Sequence, residues 1–395
     1  MINNKNDQEL MTFGKMPIAN NFVGKKDFDN EFFYEMKIGF NDDYSLLKLL
    51  EHPKPEQMFN SKYPFLTSSS KHMISHFKKF SDFIKKKYLN DYNDLIIEIG
   101  CNDGTMLNFF ENKESSLGFE PSTNVAKIAQ KKDLNVIPDF FSSKNKLSKK
   151  FLSNTKIIYA ANVICHIPDL NSLITNIDNL LSKKGVFIFE EPYLGSMVSK
   201  VSYDQIYDEH VYIFSVSSIK KIFDLFNYDL IDVLPQLTHG GSMRYVIARK
   251  DEYPIQKSVN DYIEHEHKQK INTYEGLLSF KENCLKSKKK ILEKLNYFKN
   301  QGLRISGYAA TSKSTTILNF CDLNSEIIDC IYDTTPDKIG KYTPGTHIPI
   351  KDYREFKNNY PDIAYLFAWN HKKEIFDKEL EFVKKGGKWF SHVEL

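Results

Sequence analysis

Cysteine is scarce in this chain and never paired. Its five cysteines (Cys101, Cys165, Cys284, Cys321 and Cys330) are odd in number and form no Cys-x-x-Cys. That excludes a disulfide framework and a cysteine-rich zinc module, and it points to a reducing compartment. Long apolar runs are also missing. No uninterrupted stretch approaches bilayer length, and Met1-Ile-Asn-Asn-Lys-Asn-Asp7 lacks the apolar core of a signal peptide. Nor is there a surplus of one charge: the net charge is +3, and the basic residues are spread along the chain rather than clustered as nucleic-acid binding requires. A cytoplasmic protein without membrane, nucleic-acid or obligate protein partners is expected.

What the chain does have is apolar and aromatic material, 41% and 14% of 395 residues, enough for two sizeable cores. Residues 1–70 read as an irregular element with scattered prolines and a Ser/Thr cluster at Thr67 to Ser70. Met73, Phe77, Phe80 and Phe83 recur at helical spacing over His72 to Tyr88. Short β-rich runs then alternate with helical stretches: Leu95 to Ile99, Leu117 to Glu120, Ile157 to Ala161, Gly185 to Glu190, Tyr228 to Val233 and Arg244 to Ala248. Such alternation predicts a parallel sheet flanked by helices over residues 71–255. Residues 256–300 are highly charged and read as a helical connector. A second Rossmann-like α/β unit follows over 301–395, with strands at Leu303 to Ala310, Ile327 to Tyr332 and Ala364 to Ala368.

The segment Glu98-Ile-Gly100-Cys-Asn102-Asp103-Gly104 ends an apolar strand in a glycine turn, and Glu120 follows about twenty residues later. That order is how a βαβ unit holds an adenosine-bearing cofactor, with the acid on the ribose. Gly100 and Gly104 let backbone approach the ligand. A dinucleotide fingerprint would need a glycine where Asn102 stands, because a pyrophosphate wants bare amides. S-adenosylmethionine carries no phosphate, and its amino-acid end and sulfonium suit Glu98, Asn102 and Asp103. An NAD-dependent sugar oxidoreductase and a non-catalytic S-adenosylmethionine-binding protein stay open as alternatives.

Several further segments fall in a known order: Gly14 to Phe22, Ala161-Asn162-Val-Ile-Cys-His166-Ile-Pro-Asp169, Glu191-Pro-Tyr-Leu194, Ile206-Tyr207-Asp-Glu209-His210, His239-Gly-Gly-Ser242-Met-Arg244, Gly307 to Lys313, and Pro344 to Ile350. With them the chain resembles, over nearly its whole length, the nucleotide-sugar C-methyltransferases of deoxysugar pathways. The resemblance implies a class I S-adenosylmethionine domain with a C-terminal Rossmann-like domain, and a nucleotide-linked sugar between them, in deoxysugar or surface-polysaccharide synthesis. It implies that Tyr207, Glu209, His210 and His166 are catalytic. It places Pro121 and Asn162 with the cofactor, and Tyr63 and Glu191 with the substrate. Histidine, with an ordinary pKa of about 6.5, is the natural base, and His210 is expected in that role. Glu209 would orient it or hold hydroxyls; Tyr207 and His166 would bind the sugar and steady an oxyanion.

In the His239 turn, Ser242 and Arg244 are expected to bind sugar hydroxyl or phosphate. Gly307 to Ser314 nearly spells a P-loop, but Ser312 replaces its second glycine, which argues against ATP hydrolysis. Lys313 and Ser314 at that helix start can hold one diphosphate. Family members usually carry an N-terminal zinc site made of cysteines. No cysteine precedes Cys101 here, so no zinc is expected, and apolar packing through Phe32, Phe33, Tyr34 and Met36 would replace it. Whether carbon or oxygen receives the methyl group is left open, since one histidine serves both chemistries.

Overall fold

The computed structural model describes residues 2–394 apart from positions 62, 143 and 146. The first seventy residues are not irregular. Asp7–Pro17 (β1), Phe33–Asn41 (β2) and Leu46–Leu49 (β3) form an antiparallel sheet. A fourth strand, Tyr212–Ile213, joins it from just beyond His210. The strand β1 escaped sequence reading because register shifts at Glu9/Met11 and Thr12/Gly14 break the two-residue alternation that marks a strand. Gly14 sits at the second shift with φ +78°, open to glycine without strain. Of the expected apolar anchors, Met36 is fully buried, but Phe32 and Phe33 are 42% exposed. Packing comes instead from Leu10, Met11, Phe13, Met16, Ile38 and Phe40, in one core with Ile317, Leu318 and Phe320 of the C-terminal half.

The central sheet contains Leu95–Ile99 (β4), Ser116–Phe119 (β5), Val136–Ile137 (β6), Thr155–Ala161 (β7) and Leu181–Pro192 (β8). After β9 (Tyr212–Ile213) come Tyr228–Gln236 (β10) and Ser242–Arg249 (β11). Spatial order is β6-β5-β4-β7-β8-β11-β10, with β11 antiparallel to both neighbours and the others parallel. The inner strands are apolar on both faces because helices cover both. Lys71–Tyr88 is one covering helix, capped by Ser70, which accepts from the Met73 amide. It buries Met73, Phe77 and Phe80, with Ile84 completing the stripe where Phe83 lies half-buried. The chain order reverses between β4 and β7, and a ligand crevice opens there, outside the carboxyl ends of the strands.

The charged stretch divides in two. Helix Lys257–Gln269 packs on the central-sheet unit, where fully buried Glu266 accepts from the Val216 and Ser217 amides and the Tyr193 hydroxyl. Helix Tyr274–Asn300 runs to the C-terminal unit. There Ile305–Tyr308 (β12), Ile331–Asp333 (β13), Ile350–Asp352 (β14), Ile363–Leu366 (β15) and Lys388–Phe390 (β16) form an all-parallel sheet in the order β14-β13-β12-β15-β16. Its switch point lies between β12 and β15. No helix among the described residues is long and apolar enough to cross a membrane.

Candidate active site

At the β4–β5 end, Gly100 (φ +69°) and Gly104 (φ +74°) adopt left-handed conformations. A Cβ on Gly100 would lie 2.4 Å from the Val163 side chain, and one on Gly104 2.4 Å from Leu134. Both turns are therefore fixed by space as well as by dihedral. Glu120, at the end of β5, accepts from the Asn102 amide at 3.0 Å and the Ser122 amide at 2.7 Å. Each oxygen keeps a second lone pair for a ligand hydroxyl. Pro121 continues this edge.

Three of the expected cofactor ligands are otherwise engaged. Asn102 accepts from the Thr67 amide with its side-chain oxygen, and its amide group donates to the Phe65 carbonyl. Asp103, fully buried, accepts from the Ser68 amide and from the hydroxyl and amide of Thr105. Glu98 accepts from the Tyr159 hydroxyl at 2.8 Å and sits beneath the Leu107 amide. Asn102 and Asp103 fasten the 65–68 loop over the strand ends, while Glu98 is held within the sheet. The free acceptors lie elsewhere: Asn162 (φ +57°), at the end of β7, has a buried side-chain oxygen with no partner, and so has Glu191 at the end of β8. The other Glu191 oxygen accepts from the amides of Val163, Ile164 and Cys165, which fixes the turn that carries His166. Burial pushes the Glu191 carboxyl up to about 7. Unpartnered acceptors beside a glycine turn and a ribose-type acid fit the ammonium, sulfonium and ribose of S-adenosylmethionine.

The acceptor half is built on the loop 203–210. The His210 Nδ1 lies 2.6 Å from the Gln205 carbonyl and Nε2 lies 2.8 Å from the Tyr207 hydroxyl. Only a proton on Nδ1 satisfies a carbonyl, so Nε2 carries the lone pair and Tyr207 donates to it. Burial, with the nearby His166 next, holds the imidazole well below its usual pKa and hence neutral. His166 stacks on His210 at 5.4 Å and on Phe59 at 5.4 Å; its Nε2 is buried without a partner, and burial lowers its pKa to about 3. Glu209 accepts from the Asn20 side chain at 2.7 Å and contacts the Tyr63 hydroxyl, while its neighbour Asp208 accepts from the Ala19 amide. Burial raises both acids, and Asp208 raises Glu209 further, so the pair retains a proton near neutral pH. Tyr63 is tethered by Asn124, which donates to its carbonyl.

Three expected substrate contacts are structural. Ser242 donates to the Thr238 carbonyl inside the turn. Arg244 pairs with Glu190 at 3.0 Å, and its guanidinium lies 3.8 Å above the Phe80 ring, so it is not free for phosphate. His76 bonds the same Glu190 at 2.5 Å. Ser314 forms a reciprocal capping box with Thr311 and has no free hydroxyl proton. By contrast, the His239 Nε2 and the Lys313 ammonium are both buried and unpartnered, the ammonium 5.3 Å from the Trp369 ring. Phe59, Asn20, Asp208 and Trp369 belong to the site and were not singled out from the sequence. Asn20 lay inside the segment Gly14 to Phe22, and that was its only signal.

The Cys165 thiol and the His166 and His210 nitrogens lie within 4.8 Å of one another. They do not fit a metal. The two rings are 16° from parallel, so their lone pairs run side by side instead of converging, and both His210 nitrogens are in use. Burial holds the thiol far above the range where a thiolate forms.

Residues 71–233 match the methyltransferase domain family, and residues 237–393 match the C-methyltransferase C-terminal domain family. Together these take in both Rossmann-like units. The chain is an S-adenosylmethionine-dependent methyltransferase that carries a C-methyltransferase C-terminal domain. It is similar to C-methyltransferase NovU of Streptomyces niveus, 27% identical over 387 residues, which is 96% of this chain and 91% of the relative. Among solved structures, it is similar to a putative methyltransferase complexed with the Trm112 activator of Haloferax volcanii (12% identity, TM-score 0.38, 46% of this chain and 94% of that one). It is also similar to magnesium protoporphyrin IX methyltransferase of Synechocystis PCC 6803 with bound S-adenosylmethionine (12%, 0.33, 45% and 79%). The two methyltransferase domain matches set aside the dinucleotide oxidoreductase and the non-catalytic reading.

Proposed function

We propose that this C-methyltransferase acts on the sugar of a nucleotide-activated sugar in the cytoplasm, methylating the carbon beside a keto group, with His210 as general base. S-adenosylmethionine supplies the methyl group. Asn162 and Glu191 would accept from its ammonium, Glu120 from its ribose, and the Gly100 turn would give its backbone room. The observation that carries the reading is the tautomer of His210. The Gln205 carbonyl fixes the proton on Nδ1, which leaves a basic Nε2 under the Tyr207 hydroxyl, within a pocket that also holds the unpartnered His166 nitrogen. A proton leaving the acceptor would pass to the Tyr207 phenol as that phenol gives its own proton to Nε2. Tyr63, Asn20 and Glu209 line the wall where sugar hydroxyls would be held. The C-methyltransferase match favours carbon over oxygen.

The test is incubation with S-adenosylmethionine and a panel of nucleoside diphosphate sugars, with and without a keto group, followed by NMR of the product. A methyl resonance on a quaternary carbon, formed only from keto substrates, is expected. Turnover confined to hydroxyl-bearing sugars, with a methoxy product, would reject carbon methylation. Turnover of acceptors lacking a nucleotide, and of none that carry one, would reject the substrate class.

A further inference from the structure

Lys313 is only 8% exposed, and its ammonium has no hydrogen-bond partner. Its neighbours are the Trp369 ring at 5.3 Å and histidines that burial keeps neutral. Asp204 is the acid nearby: its Oδ2 accepts from the Trp369 indole at 2.7 Å, and its Oδ1 lies 3.0 Å from His392 Nε2. A buried ammonium whose nearest acid also faces Trp369 and His392 is costly, and burial lowers its pKa accordingly, so an anion brought by the substrate would stabilise it.

Two anions are available on such a substrate, a diphosphate and an enolate oxygen. A diphosphate needs several convergent donors. Here Ser314 is locked in the helix cap, and the Ser312 hydroxyl bonds Tyr207 instead. What remains is one ammonium with the His239 Nε2 nearby, a pair suited to a single charged oxygen. The position agrees. Lys313 follows Ser312, Ser312 touches the Tyr207 hydroxyl, and that hydroxyl sits on the basic nitrogen of His210. Thr316, one turn on, donates to the Ile206 carbonyl and so clamps this helix to the catalytic loop. Base and cation therefore lie near enough to act on each other's charge, one from each Rossmann-like unit.

We propose that Lys313, assisted by His239, holds the substrate oxygen that becomes negative when His210, acting through Tyr207, removes a proton from the carbon beside the keto group. In that step the carbon–hydrogen bond breaks; its proton goes to the Tyr207 oxygen while the Tyr207 proton passes to His210 Nε2. Its electron pair forms the carbon–carbon double bond, and the carbonyl π pair moves onto oxygen. That oxygen is not the atom to be methylated, so the ammonium can remain on it throughout. An ammonium on an attacking oxygen would hold back the pair needed for transfer, so this arrangement suits carbon methylation specifically. The proposal rests on the keto-sugar reading above.

Proton exchange in D2O tests it without methyl transfer. The enzyme is saturated with S-adenosylhomocysteine, given a nucleoside diphosphate keto-deoxyhexose, and followed by proton NMR. In parallel, calorimetry measures binding of the same nucleoside diphosphate without the sugar. Lys313→Met is expected to slow exchange by about 100-fold or more, to leave nucleoside diphosphate affinity within about threefold, and to hold or raise Tm because an unpaired buried charge is gone. Exchange at the wild-type rate would overturn the role, and so would a loss of nucleotide affinity that accounts for the slowing, since Lys313 would then be a phosphate anchor. A wild-type enzyme that exchanges no proton and binds none of the nucleoside diphosphates would overturn the substrate reading, and this proposal with it.

Discussion

Replacing Tyr207 with phenylalanine removes one oxygen atom from the site and nothing else. In the folded protein that oxygen donates to His210 Nε2 at 2.8 Å, between two buried groups whose rings are 4.1 Å apart. Phenylalanine keeps the ring packing and leaves Nε2 as a buried acceptor without a donor, which should cost about 1–3 kcal/mol of stability. If the phenol relays or aligns the proton transfer, kcat should also fall by about 10²–10⁴, equivalent to roughly 3–5 kcal/mol in the barrier. Affinity for S-adenosylmethionine should stay within about threefold, since Tyr207 lies on the acceptor side. Single-turnover methyl transfer, calorimetry with the cofactor and a thermal melt separate the three effects. A kcat within about threefold of wild type, with Tm lowered as expected, would show that Tyr207 only packs against His210, and the relay would have to be abandoned.

Four shorter predictions follow from other parts of the site. His210→Asn should abolish turnover while leaving cofactor affinity intact by calorimetry; turnover at the wild-type rate would remove His210 as the base. Gly100→Ala puts a Cβ 2.4 Å from Val163 at φ +69° and should lower both Tm and cofactor affinity; adding Val163→Ala should restore only part of the loss, because the left-handed backbone still costs about 1–2 kcal/mol. Glu191 has a folded-state pKa of about 7, raised from 4.5, so the folded protein holds the extra proton and stability falls as pH rises from 4.5 to 7, by at most about 3 kcal/mol. Glu191→Gln should flatten that slope in melts across pH 5 to 8, and an unchanged slope would mean that another group causes it. Ser314→Ala should cost about 1 kcal/mol through the lost cap and leave KM for the sugar substrate unchanged; a raised KM would return Ser314 to the substrate.

The glycine turn and its acid were legible because they are local. Strand β4, the turn at Gly100 and Glu120 lie within one βαβ unit, and the backbone of that unit leaves few choices for where they meet. Tyr207, Glu209 and His210 were legible as a cluster for the same reason: they sit within four consecutive positions. Polar residue type alone could not separate ligands from fasteners. Asn102, Asp103 and Ser314 look like ligands in sequence, but the fold uses them to hold the 65–68 loop and to cap a helix. Arg244 looks like a phosphate group's partner until Glu190, more than fifty positions away, is found against it. The N-terminal strands were invisible because two bulges in β1 scramble its alternation.

By itself, then, the sequence determined the two Rossmann-like units and the adenosyl-type turn, because each depends on neighbours close along the chain. The tertiary structure alone decided which polar atoms stay unpartnered. In Asn162, Glu191, His166, His239 and Lys313 one polar atom is left without a hydrogen-bond partner by the fold around it. Whether a buried group has a partner is a property of all the chain that surrounds it, and that is settled only when the two units and the N-terminal sheet close on one another.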